Sequence, residues 1–337
     1  MRTLMRILAF VCVFFCMGQE AHATVSCTMT ADNGSLNFGT VNVLNTQSSN
    51  YPTASTTFTL TCTRNGSDTS TTASVCLNID GATTTSGTSY YTMSGSGVNV
   101  GYQLFTDAAY QNFWGNLTVP SPDLVYVPIG SSGTGSVSVT MYGRMINTST
   151  TTLSQLAPGT TYTASFSNSN TAIAATGGAV TDCSLINKSK VGFSFTVTAT
   201  VAAQCLMSTA ANDLNFGTVP TSAGTVTGST AFGVTCTNGT PYYIGLLPSN
   251  GNTAGAGVMT SVANAATNTD QVPYQLRSTS GTSGTIWGNT ATSTSVGNGV
   301  AGTGTGSAAS YNIYGTATVA NYTPDSYQDQ VVINVNY

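Results

Sequence analysis

One hexapeptide occurs twice in this chain, with the same approach to it each time. LNFGTV occupies 36–41 and again 214–219, and in both places its leucine comes nine residues after a cysteine, Cys27 or Cys205. Later landmarks keep the same order. LTCT ending at Thr63 answers VTCT ending at Thr237, GYQL (101–104) answers PYQL (273–276), and WGN at 114–116 answers WGN at 287–289. YGR (142–144) and YGT (314–316) follow, then APGTTY and TPDSY. Such order means two tandem copies of one domain, so whatever fold one copy adopts the other must approximate.

The seam between the copies is VGFSFTVTATVAAQC, 191–205. Phe193, Phe195, Val197, Ala199 and Val201 alternate with Gly192 and with Ser and Thr residues, which predicts a strand over 191–201 with one apolar face. Shorter alternating runs recur at 57–61, 98–105, 136–142, 311–319 and 331–337, separated by Gly, Asn, Ser and Pro clusters. No stretch has convincing helical amphipathicity. A Ser/Thr/Gly/Asn-rich composition can signal disorder, but 40% apolar residues and a mean hydropathy of +0.10 point to folded β structure. The expectation is all-β, two antiparallel sandwiches over 24–203 and 204–337, each large enough for its own core.

Residues 1–23 read as a signal peptide. Arg2 and Arg6 precede an apolar run over 7–17, and Ala21-His22-Ala23 has the small-x-small pattern of a cleavage site, giving a mature start at Thr24. That run is too short to span a bilayer, and no later stretch approaches eighteen apolar residues. Six cysteines then remain, an even number in a secreted chain. The repeat sets Cys27 and Cys62 against Cys205 and Cys236, so each copy has its own bridge, Cys27–Cys62 and Cys205–Cys236. Cys76 and Cys183 lack counterparts and pair by exclusion. Closing a loop of thirty-odd residues contributes roughly 3–4 kcal/mol in the chain-entropy model. The cysteines are scattered without a CxxC, which disfavours a metal site.

Composition closes off much chemistry. His22 and Glu20, the sole histidine and glutamate, leave with the leader, and acid groups are then confined to ten aspartates. Imidazole-based metal sites, Ser-His-Asp or Cys-His nucleophiles and glutamate acid catalysis are excluded, so neither an enzyme nor a cofactor is expected. Five scattered Lys and Arg make no basic patch for nucleic acid. Trp114 and Trp287 occupy equivalent places in the two copies, which favours packing over ligand binding.

The Cys-x8-LNFGTV start, the YQL, WGN and YG elements and the terminal TPDSYQDQVVINVNY together resemble the spore coat protein U domain family. That family includes subunits of archaic, Csu-type chaperone–usher pili of Gram-negative bacteria. The resemblance covers nearly the whole mature chain twice. It is most specific in the second copy, with Tyr327, Asp329 and the VVINVNY strand; the first departs after Tyr162, where an Asn/Ala/Gly-rich insertion with Cys183 intervenes. It implies immunoglobulin-like, pilin-type sandwiches that lack one strand. A periplasmic chaperone fills the groove first, an outer-membrane usher assembles the fibre, and the N-terminal donor strand of the next pilin takes the chaperone's place.

Against that background the two copies differ. Before Cys205 lies the alternating segment of Phe193, Phe195, Val197, Ala199 and Val201; before Cys27 the mature chain offers only Thr24, Val25 and Ser26. Three residues span about 10 Å, too little to complete a neighbour. The expectation is a molecule that accepts a strand without donating one, at the end of a fibre. Its first copy is completed by 191–201 from the same chain. Its second is open, with Val331, Ile333, Val335 and Tyr337 forming the chaperone-facing terminal strand. Such a place suggests an adhesin for surface attachment and biofilm formation, with an abiotic surface or an unknown receptor as partner. The candidate adhesive loops, by comparison of the copies and by analogy with apolar-tipped relatives, are Leu124, Val125, Tyr126, Val127 and Ile129, for which a buried strand is the competing reading; Met145 and Ile146; and Ile173, Ala174 and Ala175. Two alternatives stand beside this: a structural coat or shaft subunit, and a tip lectin binding a glycan.

Overall fold

The computed structural model describes residues 24–32, 34–44, 50–66, 68–85, 88–114, 123–186 and 191–337; the leader expected over 1–23 lies outside them. Among the described residues there is no α-helix, only short 3-10 turns at Leu153–Gln155 and Cys183–Leu185. The first copy contributes β1 (Thr24–Ala31), β2 (Ser35–Val41), β3 (Thr53–Asn65), β4 (Thr72–Ile79), β5 (Thr83–Thr85) and β6 (Thr88–Gly95). It continues with β7 (Val98–Phe105), β8 (Asp123–Pro128), β9 (Thr134–Ile146), β10 (Thr161–Phe166), β11 (Thr171–Gly177) and β12 (Phe195–Val201). The second contributes β13 (Cys205–Thr209), β14 (Gly224–Cys236), β15 (Pro241–Pro248), β16 (Ala256–Ser261) and β17 (Gln271–Arg277). It ends with β18 (Val300–Thr303), β19 (Ala308–Val319), β20 (Tyr327–Gln328) and β21 (Val331–Asn336).

Each copy is a two-sheet sandwich, and no sheet is shared between them. In the first, a large sheet runs β1-β3-β9-β7-β6-β10-β12-β2, with β5 beside β6, and faces a small sheet β11-β4-β8. In the second, β13-β14-β19-β17-β16-β20 faces β18-β15-β21. Strand for strand the second order repeats the first, except that β5 and β12 have no counterpart and 214–219, the counterpart of β2, is not a strand. The fold is thus all-β, two tandem immunoglobulin-like pilin-type domains, the second lacking one strand.

Alternation explains the cores. On β3, Phe58, Leu60 and Cys62 are buried while the threonines between them reach outward, and β7 buries Val100, Tyr102 and Leu104 in the same way. Trp114 and Trp287 are both buried, and Trp287 Nε1 donates to Ile244 O at 2.8 Å. Cys27–Cys62 and Cys205–Cys236 join the equivalent strand pairs β1/β3 and β13/β14, and Cys76–Cys183 ties the first-domain insertion to β4.

The strand assignments correct the expected adhesive loops, and over 124–129 they match the buried-strand alternative. Leu124, Val125, Tyr126 and Val127 are on β8, the inner neighbour of which is β4, and Val127 and Ile129 are in the core. Met145 and Ile146 end β9, and Ile173, Ala174 and Ala175 sit on β11; all five are buried. β11 is apolar on consecutive positions because it is covered twice. Ile173 and Ala175 face the sandwich core, while Ala174 packs outward with Cys76, Leu124, Val180, Cys183 and Ile186. A strand buried on both faces loses its alternation. Of the ten candidates only Tyr126 is exposed, and its hydroxyl donates to Val180 O at 2.6 Å.

Candidate functional site: one strand position, filled in the first domain

The segment 191–201 runs antiparallel to β11 and β10 in turn. Val191 forms a two-bond bridge with Ile173, and the Phe193 amide and carbonyl both bond Thr171 Oγ1. The chain then crosses to the large sheet, where β12 pairs Phe195 with Phe166 through to Thr200 with Thr161. On its other edge β12 pairs in parallel with β2, from Thr196–Ser35 to Val201–Val41. The regular strand is therefore shorter than the alternating run, because residues 192–194 carry the step between sheets. All five apolar side chains, Phe193, Phe195, Val197, Ala199 and Val201, are at most 3% exposed. Phe195 stacks on Phe166 with centroids 4.5 Å apart, and both Phe193 and Phe195 meet Phe58 edge-on.

The flanks of that position exist in the second domain too. Its β4 counterpart, β15, holds β21 by the same antiparallel ladder, Ile244–Val335 through Pro248–Val331. Val331, Ile333 and Val335 face the core side but are only partly buried; Val332 on the opposite face is 55% exposed, and Tyr337 is exposed. The second LNFGTV keeps the local geometry of the first. Asn37 Oδ1 accepts from Gly39 N at 2.8 Å and Asn215 Oδ1 from Gly217 N at 2.6 Å, with φ of 70° and 78° at the two glycines. It also packs on the same spot. A methyl group at Gly143 would come within 2.5 Å of Leu36 Cδ2 and 2.9 Å of Phe38 Cζ; at Gly315 the same group would be 2.9 Å from Leu214 Cδ2 and from Phe216 Cζ. Yet 214–219 is not a strand, and Leu214 and Phe216 are half-buried where Leu36 and Phe38 are buried. The cause is pairing. LNFGTV becomes a strand when β12 supplies its hydrogen bonds, and no strand does so in the second domain.

Sequence reasoning singled out the terminal strand but missed this second wall, although the repeat itself was the signal. It named Tyr327 and Asp329 but not the polar clamp they belong to around β20. Asp325 Oδ2 accepts from Ser261 Oγ at 2.5 Å and Asn268 Nδ2 at 3.0 Å, while Asn268 Nδ2 also donates to Tyr327 Oη at 2.9 Å. Asp329 accepts from Tyr274 Oη at 2.5 Å and from Ser249 Oγ, and burial, then this carboxylate, raises the Tyr274 phenol. Donation from Ser261 and Asn268 holds the Asp325 carboxyl at about 2, below its usual 3.8. A depressed carboxyl stabilises the fold fully above its ordinary value, and that contribution is lost as pH falls from about 4 to about 2. Asp325→Asn should therefore lower second-domain stability at pH 7 and flatten the acid limb between those values, read by denaturant titration at several pH values; an unchanged limb would remove Asp325 from the clamp.

The family model of the Spore Coat Protein U domain matches residues 13–166 and 191–334. The second match opens at Val191, so the seam segment falls with the second copy, at the same distance ahead of Cys205 as the first match opens ahead of Cys27. Comparison with curated proteins gives no match. Among solved structures, a chain of the CsuC–CsuE chaperone–tip adhesion subunit pre-assembly complex from archaic chaperone–usher Csu pili of Acinetobacter baumannii aligns with a TM-score of 0.48. Its identity is 15%, over 93% of this chain and 100% of that one. The CupB6 tip adhesin of Pseudomonas aeruginosa aligns at 0.35 with 8% identity, over 93% and 94%. CfaE, the adhesive subunit of CFA/I fimbria of enterotoxigenic Escherichia coli, aligns at 0.31 with 12% identity, over 90% and 92%. With most of its length matched in two consecutive blocks, this chain belongs to the Spore Coat Protein U domain family.

Proposed function

We propose that the chain is the tip adhesin subunit of a chaperone–usher pilus, assembled by donor-strand complementation. The first domain faces outward and is completed by its own β12. The second takes a periplasmic chaperone strand and then the N-terminal strand of the next pilin, handed over at the outer-membrane usher. One observation carries this reading: the position between β10 and β2 is filled by β12, while the equivalent position between β20 and 214–219 has walls of the same shape and no strand. An unpaired edge of that kind aggregates unless covered, which is why a chaperone is required. The short lead expected ahead of Cys27 supports the outward place. Thr24, Val25 and Ser26 are already paired with Asn65, Arg64 and Thr63 in β1, leaving none of them free to reach a neighbour.

Surface attachment and biofilm formation follow as the role of such a tip. Antibody raised against the first domain and coupled to gold should label filament ends singly. Even labelling along the shaft would overturn the tip placement in favour of a shaft or coat subunit.

A further inference from the structure

The outer face of the large sheet carries one arginine in each domain, from opposite strands of the same pair. Arg144 on β9 lies opposite Gln103 on β7; Arg277 on β17 lies opposite Tyr314 and two residues from Gln275, which faces Thr316. Thr316 is the repeat's answer to Arg144. In the second domain the guanidinium is satisfied internally, Nε donating to Thr316 Oγ1 at 3.4 Å and Nη1 to Gly284 O. The first domain is different. Arg144 Nη2 donates to Gln103 Oε1 at 2.8 Å, Nε is buried without an acceptor, and Nη1 has none among the described residues.

The surroundings of Arg144 are built rather than incidental. Its guanidinium carbon lies 5.1 Å from the Phe105 ring centre and 5.5 Å from that of Tyr110. Tyr110 reaches this place from the loop between Thr106 and Trp114. There the Asp107 carboxylate accepts backbone N–H groups of Ala109 at 3.0 Å, Gln111 at 3.2 Å and Asn112 at 2.6 Å. The loop holds Tyr110 at φ 58°, a left-handed conformation that costs a non-glycine residue on the order of 1 kcal/mol and concentrates at functional sites. The Tyr142 ring stands edge-on beside it, centroids 6.5 Å apart. Gln103, Tyr110, Tyr142 and Arg144 are all half-buried, so the cluster opens to solvent.

A guanidinium packed on aromatic faces, yet short of acceptors, is suited to a planar anion with an apolar edge. We propose that this cluster binds a carboxylated saccharide. Nη1 of Arg144 takes the carboxylate, and Tyr110 and Tyr142 offer ring and hydroxyl to the sugar. The proposal rests on reading the first domain as the receptor-facing one, and it names the receptor class.

The test is titration of the full-length protein, in complex with its chaperone, with oligogalacturonate, a neutral galactose oligomer and dextran sulfate. Binding of the oligogalacturonate alone is expected, weakened at least roughly tenfold by Arg144→Gln, the loss of a charge-assisted hydrogen bond. Arg277→Gln, at the equivalent place in the other domain, should leave it unchanged. Tyr110→Gly, which suits the positive φ, should weaken binding several-fold and hold the thermal midpoint, keeping the test valid should Arg144→Gln disturb packing. Equal binding of the neutral oligomer, equal binding of the sulfate, or insensitivity to both Arg144→Gln and Tyr110→Gly would each overturn the site. Gold labelling of filament ends does not depend on Arg144, so loss of this proposal leaves the tip placement standing.

Discussion

Phe195→Ala is expected to destabilise the first domain by about 3–5 kcal/mol, the range for truncating a buried aromatic. The side chain is 3% exposed, stacked on Phe166 and Phe193 and edge-on to Phe58, so its loss leaves a cavity bounded by three other rings. Domains of this size hold only about 5–15 kcal/mol in all, so one substitution on a strand that arrives last in the domain removes much of its stability. Val197→Asp should be worse, placing an unpaired carboxylate where the native side chain is fully buried. Thr198→Ala, on the opposite face of the same strand, loses only an exposed hydrogen bond to Asn37 Oδ1 and should cost roughly 1 kcal/mol or less. Denaturant unfolding followed by Trp114 separates these outcomes. If Phe195→Ala cost no more than Thr198→Ala, β12 would be a passenger on the sheet rather than its completing strand. The second-domain transition, reported by Trp287, should not move in any of the three variants.

Much of this was legible because the chemistry is written in period two. The strict alternation of 193–201 announces a strand with one buried face, and β3, β7 and β9 follow the same rule. The repeat made the two unmatched cysteines a pair, and Cys76–Cys183 is a disulfide between β4 and the insertion. Three things were hidden. Ile173, Ala174 and Ala175 look like an apolar loop because nothing in a linear sequence says that 178–186 folds over the outer face of β11. The two LNFGTV copies are identical letter for letter, yet one is a strand and one is not; strand formation there belongs to the partner, not the hexapeptide. The Arg144 cluster is assembled from β7, β9 and the Asp107 loop, and only their pairing brings Arg144 against Phe105 and Tyr110.

The same reasoning predicts that the second domain accepts the first domain's strand. Joining a copy of FSFTVTATV, the 193–201 sequence, behind Tyr337 through a flexible Gly/Ser linker would let it turn back antiparallel to β21 and β20, as 191–201 does along β11 and β10. Its floor is already present, with Phe232 buried at the place of Phe58 and Leu214 and Phe216 packed on Gly315 as Leu36 and Phe38 are on Gly143. Each fully buried apolar side chain contributes roughly 1.5–3 kcal/mol, and fixing the new backbone costs about 1–2 kcal/mol per residue, so burial alone does not decide the sign. The two ladders do, because they satisfy backbone groups on both walls at once. A net gain on the order of 4 kcal/mol should raise the midpoint of the Trp287 transition by ~15 °C or more, with residues 214–219 becoming protected from hydrogen exchange. A fusion carrying Asp at the places of Val197 and Ala199 is the control, since a charge on the inward face cannot be buried there. Identical melting of fusion and control would mean that the second sandwich is already closed by its own residues, and the reading of it as a strand acceptor would fail.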